Sequence, residues 1–198
     1  MNELKSESGF EFEKELTRIY NRLNHHFWND ELPEVIITFK PTKGALGHIS
    51  SQAVWISDIK DNKYELNISA YTLNRDPYEI CETILHEQCH LYNIIHDITD
   101  CSNYGRYHNS NFKHTAEEHG LNVHRSKHFG WSQTTLDNEA RKYIAKLNIK
   151  RISYKYTKEN KSKTLIRYIC PSCMETRAWT SSSQYLICGY CKERLIHQ

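Results

Sequence analysis

Two Cys-x-x-Cys pairs, Cys170-Pro171-Ser172-Cys173 and Cys188-Gly189-Tyr190-Cys191, stand fourteen residues apart near the end of the chain. They constrain its folding more than any other feature. A segment of this size buries too little apolar surface to fold on a core of its own, so ligand bonds must supply much of its folding free energy. Four thiolates in paired turns saturate a tetrahedral ion and leave no position open, which is the arrangement of a structural zinc ribbon and not of a reactive centre. The interval suits a short hairpin, with residues 177–180 (RAWT) and 184–188 (QYLIC) as its predicted strands.

The charge divides the chain at the same place. It carries 26 Lys and Arg against 24 Asp and Glu, a formal net charge of +2. After residue 149, however, ten basic side chains face three acidic ones, and before it sixteen face twenty-one. A basic appendage on an acidic body is the pattern of a module that meets a polyanion. Tyr154, Tyr156, Tyr168, Trp179 and Tyr185 are interleaved with that charge and suit base stacking beside phosphate contacts on single-stranded nucleic acid, the alternative being a ribbon that binds protein or only stabilises the chain. At 198 residues there is room for one mid-sized domain and this appendage, with boundaries expected at 1–149 and 150–198. No apolar leader follows Met1 and no run of eighteen apolar residues occurs, so a cytoplasmic protein without a membrane span is expected. In that compartment the seven cysteines point to metal before disulfides, and Cys81 and Cys89 to buried small apolar groups.

The body reads as α+β. Phe12, Leu16, Ile19, Leu23 and Phe27 recur at spacings of three and four and predict an amphipathic helix over 10–28. Strands are predicted over 35–39, 48–57 and 64–70, forming a small, largely antiparallel sheet. A helix then opens at Asp76-Pro77-Tyr78-Glu79, where Asp76 can cap, Pro77 needs no N–H and Glu79 completes a reciprocal cap. Ile80, Ile84, Leu91 and Ile95 carry it to about residue 95. Further helices are predicted over 111–119, stopped by Gly120, and over 135–147.

The capped helix contains His86-Glu87-Gln88-Cys89-His90. Histidines four apart share one helical face and can hold one metal, and the glutamate beside them can take a proton from water activated there. This pattern implies metal-assisted hydrolysis of a peptide bond, with His86 and His90 as ligands and Glu87 as general base. A third protein ligand is needed, and three candidates compete. His96 continues the motif at a metzincin spacing, but the Met-turn of that group has no counterpart, the only methionines being Met1 and Met174. Glu117 or Glu118 lies on the next helix, and His108 stands just before it.

The segment His108-Asn109-Ser110-Asn111-Phe112 resembles the His-Gly-x-x-Phe element that follows HExxH in the SprT-like family, which includes the bacterial SprT and eukaryotic Spartan metallopeptidases. FWNDELPEVIITF, over 27–39, and Cys89 within the motif are similar to that family as well. The likeness covers residues 10–125 and, for the ribbon, 165–195. It implies a small zincin-like metallopeptidase domain followed by a zinc ribbon, with His108 as the third ligand. Two zinc ions follow, a catalytic one on His86, His90 and His108 and a structural one on Cys170, Cys173, Cys188 and Cys191. The resemblance also implies an endopeptidase acting on DNA-bound or DNA-crosslinked proteins, and DNA as the partner of the basic C-terminal part. Separately, a protein substrate is expected to add its backbone to an edge strand of the sheet near 48–57. The alternative is a DNA-binding or regulatory module that keeps the fold with little proteolysis.

Overall fold

The structure is a computed structural model that describes residues 3–58, 61–151, 154, 156–157 and 165–197, in two compact units divided between Tyr156 and Thr157. Most of the linker stretch expected near 148–163 lies outside the described residues.

The larger unit begins with helix α1 (Glu3–Trp28). Its apolar stripe is buried as the periodicity predicts, with Leu16, Ile19 and Leu23 fully covered, each contributing ~1.5–3 kcal/mol. The helix stops where Asn29 and Asp30 take left-handed φ of 51° and 63°. These residue types tolerate that conformation better than most. Asn24 then clamps the exit, its side chain bonded to both the N–H and the C=O of Leu32.

A mixed sheet follows, with strands β1 (Val35–Thr38), β2 (Gly47–Ile49) and β3 (Tyr64–Ile68) in the order β1-β3-β2. β1 and β3 are parallel and β2 runs antiparallel to β3, leaving β2 at an edge. The strand expected over 48–57 is cut short after Ile49. There the Ser50 hydroxyl accepts from Glu65 N and donates to Gln52 O, replacing the ladder by a turn, and the chain returns only at the Trp55–Lys63 bridge. β3 likewise ends before residue 70, in a 3-10 turn over Ala70–Thr72.

Helix α2 (Pro77–Ile95) carries the reciprocal cap predicted for it: Tyr78 N donates to Asp76 Oδ1 and Asp76 N to Glu79 Oε2. Beyond it a second sheet contains β4 (Cys101–Ser102), β5 (Tyr107–His108), β6 (Leu121–Ser126) and β7 (Gly130–Leu136), in the order β4-β5-β7-β6. β5 pairs parallel to β7 and the other pairs are antiparallel. Helix α3 (Ser110–Glu118) joins β5 to β6, and α4 (Asn138–Ala145) follows β7. The sequence reading gave residues 121–134 no element and started the last helix at 135. In fact Thr135 and Leu136 complete β7, and the helix waits for Asp137, whose side chain caps Ala140 N at 2.7 Å.

The smaller unit is a three-stranded sheet of β8 (Ile166–Ile169), β9 (Arg177–Thr180) and β10 (Ile196–His197), in the order β10-β8-β9. RAWT is a strand as predicted, but its partner is β8 and not QYLIC. The first cysteine pair is itself the hairpin turn, so the strand entering it pairs with the strand leaving it. Among the described residues no helix is long and apolar enough to cross a membrane.

Candidate active site

Helix α2 presents two faces. Leu85, Gln88 and Cys89 face inward, where Gln88 accepts from Trp28 Nε1 and donates to Tyr20 O, fixing the helix against α1. His86 and His90 lie one turn apart on the other face, turned toward β5 and β7. Their Nε2 atoms lie 3.3 Å and 3.1 Å from Nε2 of His108. A tetrahedral zinc ion with Zn–N bonds of about 2.0–2.1 Å separates its nitrogens by about 3.3 Å. Three ring nitrogens converging at that spacing fit a metal, and His108 joins the set by geometry as well as by resemblance.

His108 is delivered by β5. Its N–H donates to Phe129 O at 3.0 Å and the next residue's N–H to Asp100 O at 2.9 Å. Across the parallel pairing sits Gly130, at φ 67°, where a Cβ would collide with the His108 carbonyl. Asn109 has φ −93° and is the N-cap of α3, accepting from Asn111 N and Phe112 N. The position therefore needs no left-handed turn, and asparagine replaces the family's glycine with a cap gained. Phe112, fully buried, lies 4.6–4.7 Å from each of the three imidazoles, ring centre to ring centre, and supports them from below.

Two of the three ring nitrogens turned away from the cluster are held by residues the sequence reading missed, while the buried His108 Nδ1 has no hydrogen-bond partner among the described residues. His90 Nδ1 meets Asp100 Oδ2 at 2.7 Å, and His86 Nδ1 meets Thr134 Oγ1 at 3.2 Å. With Nε2 given to a metal, Nδ1 carries the proton and donates, the arrangement that orients a ligand and raises its basicity. Asp100 is held in turn by Asn93 Nδ2, and Asn93 Oδ1 by the Thr115 hydroxyl. An aspartate placed between the helix motif and the third histidine was a visible clue to Asp100. Thr134 lies in the unassigned hairpin and had none.

The rival ligands are elsewhere. His96 is the C-cap of α2 and bonds Glu31 at 2.7 Å, while Glu117 and Glu118 are exposed and pair with Lys113 and His114. His90, Asp100 and Cys101 also cluster, but through the far side of the His90 ring that already serves the first set.

Electrostatics distinguish the four groups. Burial drives His86 well below the usual imidazole range, and burial with the neighbouring His90 brings His108 to about 4. Burial opposes a charge on His90 too, but hydrogen bonds to Asp100 and Cys101 outweigh it and raise that group to about 10. His86 and His108 thus keep neutral lone pairs, and the Asp100 carboxylate behind His90 supplies the negative charge that favours a cation on its Nε2. Glu87, buried next to His90, is pushed up to about 7 by desolvation against a backbone bond from Ile49. A carboxyl near that value both takes and returns a proton at neutral pH.

The second cluster is built from two matching knuckles. Cys170 N donates to Thr176 O and Met174 N to Cys170 O, and Cys188 N to Glu193 O and Lys192 N to Cys188 O. Met174 and Lys192, each following a second cysteine, take left-handed φ of 58° and 60°. Cys173 and Cys188 sulfurs lie 3.9 Å apart, where Zn–S bonds of about 2.3 Å place them about 3.8 Å apart. Backbone N–H groups of Thr176 and Glu175 hold the Cys173 thiol down at about 6, toward the thiolate a metal requires. All four cysteines lie within ligand reach of one another, and both clusters are compatible with zinc.

Comparison with curated proteins and with solved structures finds no match. The sequence model of the SprT-like family matches residues 16–128, from within α1 to the turn between β6 and β7. That span is more than half of the chain and contains all three histidines, Glu87 and Asp100. The protein belongs to the SprT-like family, a family of metallopeptidase type.

Proposed function

We propose that this protein is a zinc-dependent endopeptidase with Glu87 as general base, His86, His90 and His108 as ligands of the catalytic zinc and the four ribbon cysteines as ligands of a structural one. The observation that carries the reading is a buried glutamate on the same helix turn as His86 and His90, whose Nε2 atoms converge with that of His108 at 3.1–3.3 Å. Zinc, when bound, lowers the pKa of water to about 7 and polarises a carbonyl. Glu87 accepts a proton from the attacking water and delivers it to the leaving amine. Asp100 and Thr134 keep the His90 and His86 rings aimed through both steps.

The substrate is an extended protein segment. β2 is paired on one side only, and Gly47 is packed so closely that a Cβ there would stand 3.3 Å from Glu87 Oε1. A peptide adding to that edge would run beside the general base. Leu46, Val54, Trp55 and Ile56 are exposed nearby in sequence and offer apolar contacts for its side chains. The ribbon supports a DNA-associated substrate: Arg167 and Trp179 are cross-strand neighbours, Arg177 lies two residues along, and Arg194 stands 4.9 Å from the ring of the exposed Tyr185. Four cysteines spaced as metal ligands suit a reducing compartment such as the cytoplasm.

The test is Glu87→Gln assayed on casein and on a protein crosslinked to single-stranded DNA, with metal content measured in parallel. Turnover should fall by about 10²–10⁴ with zinc retained. Undiminished cleavage by the zinc-loaded variant refutes the assignment. Salt-dependent DNA binding with no turnover by the unmutated protein on either substrate supports instead a binding module that keeps the fold.

A further inference from the structure

The parallel pairing of β5 with β7 has a consequence outside the metal site. Because His108 and Gly130 are level and the two strands run the same way, the turn before β5 (103–106) and the turn before β7 (127–129) emerge at one end of the second sheet. Both turns are exposed. Tyr104 is exposed to 102% of its reference area, on a turn where Asn103, Tyr104 and Gly105 all have left-handed φ, of 51°, 57° and 78°. That conformation is disfavoured for a tyrosine. Phe129 is 52% exposed on the neighbouring turn, flanked by exposed Lys127 and His128.

The charge around these turns is one-sided. Residues 101–116 and 119–136 contain Arg106, Lys113, Arg125 and Lys127 and no aspartate or glutamate; of the acids that bound these stretches, Asp100 is bonded to His90 and Asn93, and Glu117 and Glu118 pair with Lys113 and His114 on α3. Among the described residues Arg106, Arg125 and Lys127 make no ion pair with a carboxylate, and only Lys113 has one, with Glu117. Arg125, at the register shift of β6, donates to the Tyr107 hydroxyl and lies 5.9 Å from the Trp131 ring, over which Lys113 also stands at 4.5 Å. Cations and aromatic faces therefore alternate across the two turns and the strands behind them.

We propose that this end of the β4-β5-β7-β6 sheet is a binding face for single-stranded nucleic acid, carried by the larger unit and separate from the ribbon. Arg106, Arg125 and Lys127 take phosphates, and Tyr104 and Phe129 stack on bases. An acidic protein would satisfy the charge, but it gives no use to a fully exposed tyrosine and a half-exposed phenylalanine on the same two turns as Arg106 and Lys127. Bases satisfy both. The proposal shares its ligand class with the ribbon reading but depends on neither the ribbon nor peptide-bond cleavage.

The experiment uses the full chain with its zinc and a fluorescein-labelled dT20 oligonucleotide. Arg106→Glu with Lys127→Glu should weaken binding at least tenfold at 150 mM salt and reduce the slope of log K against log salt by about 1.4, at about 0.7 per contact on a single strand. Tyr104→Ala with Phe129→Ala should weaken dT20 binding by about tenfold while changing heparin binding less than twofold. Arg106→Gln with Lys127→Gln provides the charge test should the reversal fail to fold, and zinc stoichiometry reports folding of each variant. Photocrosslinking of the wild type to a 5-iodouracil oligonucleotide should label residues within 103–107 or 125–131. Adducts confined to 165–197, or charge variants that bind dT20 within twofold of wild type, overturn the proposal. So does a result in which charge variants weaken dT20, heparin and polyglutamate alike while the aromatic variants change nothing, since that identifies a face for acidic proteins.

Discussion

Among the described residues, twenty-five buried hydrophobic side chains of the larger unit form a core that includes none of the three histidines, whereas in the smaller unit two of the four core residues are cysteines of the candidate metal-binding set. The first site is a position that the fold creates and a metal can enter. The second is a fold whose core is itself a set of candidate metal ligands. The same ion would thus act as reagent in one unit and as hydrophobic core in the other, and the two should respond differently to the same perturbation.

The largest effect should come from taking metal away. A chelator, or Cys188→Ser, should cost the ribbon on the order of 10 kcal/mol, as structural zinc does in small modules. Hydrogen exchange should then show β8 and β9 losing protection while α2 keeps its own. Loss of α2 protection at the same chelator concentration would break the comparison. Next, Phe112→Ala removes the ring beneath all three imidazoles and should cost ~3–5 kcal/mol in denaturant unfolding of the larger unit, as large aromatic truncations do. The ribbon should melt unchanged.

A smaller effect sharpens the contrast from the side of the ligands. Asp100→Asn keeps the shape but removes the charge behind His90, and should weaken zinc at the three-histidine site about 10–100-fold in competition titrations. Stability of the metal-free chain should change far less than it does for Phe112→Ala. The smallest effect belongs to Asn109→Gly, which restores the residue typical of the family. It should cost only a few tenths of a kcal/mol, because glycine is itself a tolerable N-cap. A gain in stability would show that the cap bonds of Asn109 contribute nothing.

What could be read from the sequence follows the same line between local and distant causes. The cap of α2 and the spacing of His86, Glu87 and His90 depend on neighbours in the chain, and they stood as expected. The four cysteines were legible for the same reason, but their hairpin was not, since nothing local says that a cysteine knuckle will also serve as the turn between β8 and β9. Leu121 and Val123 alternate with exposed Asn122 and His124, a strand signal present but too short to be noticed before α4. His108 required a resemblance, because its place beside His86 is set by a pairing with Gly130 that no local pattern encodes. Asp100 and Thr134 act on rings ten and forty-eight residues away, and only the folded chain brings them there.

That pairing also orders events in time. A chain growing from its N-terminus can form α2, with two ligands already in register, as soon as residue 95 is free to coil. The third ligand cannot be seated until β7 arrives to receive it, because the His108 N–H bonds to Phe129 O and its strand lies against Gly130. Local helices form faster than non-local strand pairs, so closure of the β5–β7 contact comes late in folding. A nascent or unfolding chain therefore passes through a stage that holds two histidines and the glutamate without His108, and the three-histidine cluster becomes a property of the finished fold alone.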